Sequence, residues 1–208
     1  MVTKRTANVI VKNQTGGDLL TVHVCHKYSD NYKHQKDFAG ILQNGQSTNE
    51  TMRVEYNTGF GTTGRDWWYV AFTMADGSFY MSNPGNCREF IDGFEKVGKG
   101  ALNVIGGLCA VQTPAIGMQA YQASSAGYSM LGSAYGAYAG AVGVASAIGL
   151  VVANCMMNTE STAGFKQHIL RAEDAGGNTE IIITKEQVKF VSRSGTSTTG
   201  ARRAKISR

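Results

Sequence analysis

Residues 100–159 contain no Asp, Glu, Lys, Arg or His, although the rest of this 208-residue chain is ordinarily charged. A run of that length without ionisable groups has no solvated face of the usual kind, so protein or lipid must cover it on nearly every side. Within it, Gly132, Gly136 and Gly140 recur at every fourth position, and Tyr121, Tyr128 and Tyr135 at every seventh. Glycine weakens a helix in water by about 1 kcal/mol relative to alanine. A helix this rich in glycine therefore needs compensation from close packing. Glycines at i, i+4 and i+8 form a strip along which two helix backbones approach closely, and the tyrosines form a second strip able to fill a groove on a partner helix. Pro114 divides the run, and the longer, alanine-rich part after it favours helix.

The run splits the remaining sequence into two parts that both carry strand signals. Residues 8–12, NVIVK, form a short apolar run closed by Asn13 and the pair Gly16 and Gly17. In LLTVHVCHKY, Leu20, Val22 and Val24 alternate with Thr21, His23 and Cys25, the period of a half-buried strand. Met52, Val54 and Tyr56 alternate in the same way with Arg53 and Glu55. WWYVAFTM is rich in the aromatic and branched residues that suit a pleated surface. Asp76 and Gly77 separate it from SFYMS, which signals a hairpin because glycine supplies the positive φ of the turn. Beyond the run, FKQHILR, EIIIT and VKFVS read as three more strands, with DAGGN turning between the first two. Phe90, Ile91, Phe94 and Val97 fall at helical spacing and predict a short helix in residues 85–97. The expected architecture is mainly β: an antiparallel β-sandwich with an inserted Gly/Ala-rich helical hairpin. Its parts are residues 1–95 and 161–195 of the sandwich, the insertion 96–160, and a basic tail 196–208.

Charge excludes little except a strongly basic body. The net charge is +5, but Arg202, Arg203, Lys205 and Arg208 lie in the last thirteen residues and leave +1 for everything before them. Such a tail is able to touch anionic lipid, nucleic acid or an acidic protein, or stay solvated. No nucleic-acid partner is expected from a body so nearly neutral. MVTKRTANVI has no hydrophobic signal core, so no secretory leader is read there. Cys25, Cys87, Cys109 and Cys155 are scattered without a C-x-x-C pair, which predicts reduced, buried thiols and a cytoplasmic chain, with peripheral attachment to a membrane allowed.

The stretches HKYSDNYKH, VEYNTGFGTTGRDWWYVAF and FKQHILRAEDAG together resemble fungal relatives of the PUD domain. That family is named after nematode proteins up-regulated in long-lived insulin-signalling mutants. The string from Asn57 to Trp68 is its most specific part. The resemblance covers residues 6–95 and 163–199. It implies a β-sandwich of the aegerolysin-like kind and a tendency to pair as dimers, and it implies no catalytic activity. The aegerolysin comparison implies lipid recognition by analogy of fold alone. The charge-free run is not part of the pattern.

Candidate sites are few. His23, Cys25, His26 and His34 cluster in sequence with Asp30. On one strand, however, His23 and Cys25 share a face while His26 points the other way, so no shared metal and no cofactor is expected. Tyr56, Arg65, Asp66, Trp67 and Tyr69 are the candidate ligand-binding residues: a surface pocket in which aromatic rings stack on sugars or sit at a lipid headgroup layer. Their structural alternative is that Arg65 and Asp66 satisfy loop backbone while one tryptophan anchors the core. No G-x-S-x-G, H-E-x-x-H or Walker loop is present, and no catalytic residue is assigned. Residues 137–157 are long enough to span a bilayer, but their glycine and alanine content makes insertion marginal. The functional expectation is a non-enzymatic protein that associates with lipid or membrane, its glycine strip inserting or oligomerising. The alternative is a soluble carbohydrate-binding or stress-associated homo-oligomer, a dimer or larger, with the insertion as its interface.

Overall fold

The computed structural model describes residues 1–29, 31–83 and 164–203. These form β1 (Thr3–Asn13), β2 (Leu19–Tyr28), β3 (Tyr32–Leu42), β4 (Met52–Thr58), β5 (Asp66–Met74) and β6 (Phe79–Asn83) before the long connection. After it come β7 (Lys166–Gln167), a 3-10 turn at Ala172–Asp174, β8 (Asn178–Ile183), β9 (Gln187–Ser192) and β10 (Gly195–Arg203). All belong to one sheet in the order β3-β2-β5-β6-β10-β9-β8-β1-β4, with β7 added to β5.

This corrects the expected antiparallel sandwich on two counts. The strands make a single, nearly closed barrel-like sheet rather than two packed sheets. It is also mixed, because β1 and β8 run parallel, with Val9 opposite Thr179 and Val11 opposite Ile181. Alternation reveals a strand but not its neighbour, and here the neighbour of the first strand lies in the far half of the chain. The division at residue 196 is corrected as well. Residues 195–203 are not a solvated tail but β10, which sits between β6 and β9. Residues 204–208, the expected helix in 85–97 and the helical hairpin of 96–160 lie outside the described residues. So do Gly132, Gly136, Gly140, Tyr121, Tyr128 and Tyr135.

The core is built from alternate strand positions, as the sequence predicts for β4. Ala7, Val9 and Val11 of β1, Met52, Val54 and Tyr56 of β4, Ile181 and Ile183 of β8, and Val188 and Phe190 of β9 all point inward and are buried. In β2 a register shift between Leu19 and Thr21 changes the phase. Leu19, rather than Leu20, therefore joins Val22 and Val24 in the core. From Val22 onward β2 is buried on both faces, so it is not the half-buried kind its alternation suggested, and β5 is likewise buried on both faces from Trp68 onward. The Asp76–Gly77 hairpin forms as read: Gly77 adopts φ +78°, and the Met74 and Ser78 backbones close the turn at 2.9 Å.

Side chains bridge the seam between the end strands β3 and β4. Lys36 donates to the Thr51 carbonyl at 3.2 Å and pairs with Glu50 at 2.7 Å, while Tyr32 donates to Asn57 at 3.3 Å. Tyr28 locks the same end from inside, donating to the Asn57 carbonyl at 3.1 Å. Its buried ring lies so close to Gly64 that a Cβ there would overlap it. Gly64→Ala must displace that ring, and overpacking of this kind costs about 1–3 kcal/mol. The expected result is a lower urea midpoint with an unchanged slope, measured by equilibrium unfolding.

Candidate functional site

The barrel end where β2 finishes and β5 begins is organised by buried polar groups. The β2–β5 register sets His26 opposite Trp68 and Tyr28 opposite Asp66. His26 Nε2 lies 2.8 Å from Asp66 Oδ1, both side chains being fully buried, and Asp66 Oδ2 accepts the Leu170 N–H at 2.9 Å. Trp68 donates its indole N–H to the His168 carbonyl at 2.9 Å. The segment after β7 is thus tied to β5 and carries Leu170 into the core. Tyr56 donates to the Arg171 carbonyl at 2.9 Å, and Asp174 accepts from the backbone N–H groups of Arg171 and Ser194 at 2.7 and 2.8 Å. These contacts close the barrel end with a fixed cap.

A glycine-rich loop projects from this anchored end between β4 and β5. Gly59 and Gly61 take φ values of +112° and +86°, a backbone that L side chains rarely adopt. Gly59 also abuts the Met1 carbonyl and leaves no room for a Cβ. Between the two glycines, Phe60 is 94% exposed. Met1 and Val2 are exposed at the same end, held there because Thr3 pairs with Thr58. Arg65 and Lys33 are exposed, Lys4 pairs with Glu55 at 2.8 Å, and Arg5 donates to Thr58 at 2.8 Å. Arg65 is held by reciprocal hydrogen bonds with Ser29, at 3.1 and 3.2 Å.

The expected pocket of Tyr56, Trp67 and Tyr69 does not form. Tyr56 points into the core beside Met52 and Val54, and burial pushes its hydroxyl up to about 12. Trp67 and Tyr69 point out through the opposite face of the sheet, because β5 alternates and places Trp68 inside. Trp67 is half-buried and Tyr69 buried. The structural alternative describes Asp66 and Trp68 well: one binds backbone, the other anchors the core. Arg65 alone of the five candidates lies at the exposed loop. The histidine cluster divides as its alternation required, with His23 and Cys25 on the outer face and His26 and His34 on the inner one, where their Nδ1 atoms are 3.4 Å apart. Asp30 lies outside the described residues. Phe60 and His168 were missed by the sequence reading. A lone aromatic between two glycines was the available signal for the first, and nothing local marked the second.

A family model described as "Up-Regulated in long-lived daf-2" matches residues 3–201. No curated protein matches the chain.

The cap makes stability depend on pH. His168 is buried, its Nδ1 lies 3.1 Å from Ser197 Oγ, and its Nε2 has no hydrogen-bond partner among the described residues. Burial holds its pKa below the ordinary imidazole value, and burial followed by the neighbouring His26 does the same for His34. Both histidines are therefore kept neutral in the fold. As pH falls below about 6.5 the unfolded chain takes up these protons first, so stability present at pH 7 is lost as pH drops toward the folded values. The melting temperature should fall between pH 7 and pH 5, and less steeply in His168→Gln, as checked by thermal unfolding across that range. Asp174 acts lower. Burial would raise its carboxyl, but hydrogen bonds from Ser194 and Arg171 outweigh it and hold it below the usual range.

Proposed function

The chain belongs to the PUD family, the one described as up-regulated in long-lived daf-2, and on that premise we propose that it is a non-catalytic protein that binds lipid surfaces through the Phe60 end of its barrel. The observation that carries this reading is the 94% exposure of Phe60 on a turn whose two glycines hold it away from the body. Among the described residues every other aromatic ring is buried or half-buried, and presenting one in this way gains nothing for the stability of the fold. Burying such a ring in a lipid interface contributes about 1.5–3 kcal/mol. Arg65, exposed on the same connection between β4 and β5, adds about 1 kcal/mol at an anionic surface. Together these give reversible, salt-sensitive attachment rather than permanent insertion.

The charge-free run is the second element of the proposal. In this proposal the four-residue spacing of Gly132, Gly136 and Gly140, which lie outside the described residues, serves insertion beside the attached barrel or contact between copies. No helix among the described residues is long and apolar enough to cross a membrane.

The test is co-flotation of the full chain with vesicles of neutral and of anionic phospholipid. Anionic vesicles should carry the protein up, and about 0.5 M salt should weaken the effect through screening. Phe60→Ser should reduce binding by about 10-fold or more, following the transfer energy above, with an unchanged melting temperature. Arg65→Glu should reduce it on anionic vesicles only. Absence of flotation on either vesicle rejects the proposal. Saturable glycan binding lost in Trp67→Ala would install the carbohydrate-binding reading in its place.

A further inference from the structure

We infer that Cys25 is a nucleophilic thiol served by His23 and Asp37, and that this site reacts with a small uncharged peroxide. The observation is a line of three side chains on the outer face of β2 and β3. The two-residue period of β2 puts His23 and Cys25 on one face, and the β2–β3 register sets His23 directly opposite Asp37. His23 Nδ1 is hydrogen-bonded to Asp37 Oδ1, and His23 Nε2 lies 3.2 Å from Cys25 Sγ. A carboxylate only accepts, so it fixes the proton on Nδ1 and leaves the Nε2 lone pair facing the thiol. This is the arrangement of nucleophile, base and orienting group required to activate sulfur.

Burial decides how the thiol is activated and what it meets. Cys25 has no exposed surface, whereas half of Asp37 is open to solvent. Burial pushes the thiol well above its ordinary value and Asp37 adds to this, while Lys27, two residues along the same face, opposes them. The resting group is therefore a neutral thiol donating to the imidazole, and its proton leaves only during attack. A site so enclosed excludes bulky or charged electrophiles, because charge is costly to bring out of water. Hydrogen peroxide is small and uncharged.

The step balances as follows. Sulfur attacks one peroxide oxygen as its proton passes to His23 Nε2. The O–O bond breaks, and the departing hydroxide takes that proton back and leaves as water. Sulfur is oxidised by two electrons to the sulfenic acid, and the peroxide is reduced. Lys27 adds positive charge beside the sulfur as negative charge develops there.

The experiment treats the full-length protein with hydrogen peroxide for timed intervals, removes the peroxide with catalase, and then unfolds the protein in urea containing dimedone, a trap for sulfenic acid too bulky to enter the folded site. It follows labelling of the tryptic peptide of residues 13–27, whose only cysteine is Cys25, by mass spectrometry. Labelling in the wild type should be nearly constant from pH 7 to pH 9, whereas a simple thiol gains about tenfold per pH unit below its pKa of about 8.5. His23→Gln and Asp37→Asn should each slow labelling at least tenfold. Asp37 lies on an exposed edge strand, so its variant tests the idea even where His23→Gln fails to fold. An unlabelled wild-type peptide overturns the proposal. So does an Asp37→Asn rate equal to or above the wild-type rate, since enclosure rather than the base would then govern reaction.

Discussion

The carboxylate of Asp66 is the point on which the barrel end depends. A carboxyl group deprived of water is costly unless partners replace the lost hydration. Here the partners come from distant parts of the chain: His26 on β2 and the Leu170 N–H beyond the long connection. Neither half of the sequence can satisfy this group alone. The β1–β8 pairing imposes the same demand through backbone hydrogen bonds, so the two halves fold as one unit around the connection. Because Asp66 is also the first residue of β5, the contacts that satisfy it fix where the loop carrying Phe60 leaves the barrel.

β2 is the strand from which both proposed activities are arranged. Its inner face holds His26 against Asp66 and Trp68, in a buried network whose role is structural. Its outer face holds His23 and Cys25 against Asp37. The residue types are nearly the same on both faces, yet their chemistry differs. The inner histidine meets a carboxylate and a second imidazole, and the outer one lies between a carboxylate and a thiol. A single pleated strand separates the two groups, so neither histidine can serve the other's partners. The two proposed activities are therefore independent, the loop's resting on exposure and the thiol's on enclosure.

Strand identity was legible where alternation, or a run of branched and aromatic residues, was strong. β1, β2, β4, β5, β8 and β9 were all read from their own residues, as was the hairpin at Asp76 and Gly77, and the opposition of His23 to His26 followed from period alone. β3 and β10 were not read, for physical reasons. β3 lies at the seam, where its inner positions carry Tyr32, His34 and Lys36 for bridging β4 and so lack an apolar stripe. β10 is made largely of Gly, Thr, Ser and Arg, and it is a strand because β6 and β9 supply hydrogen bonds on both of its edges.

What the sequence determined by itself was local: which segments extend, which way successive side chains point, and which turns need glycine. These follow from sterics and hydrophobicity within a few residues of each position. Only the tertiary structure decided that Tyr56 is a core residue bonded to Arg171 while Trp67 faces outward. It alone decided that Asp37 meets His23, and that the supposed tail lies within the sheet. Each of these is a pairing between residues remote in the chain, and periodicity carries no information about the partner across a hydrogen-bonded edge.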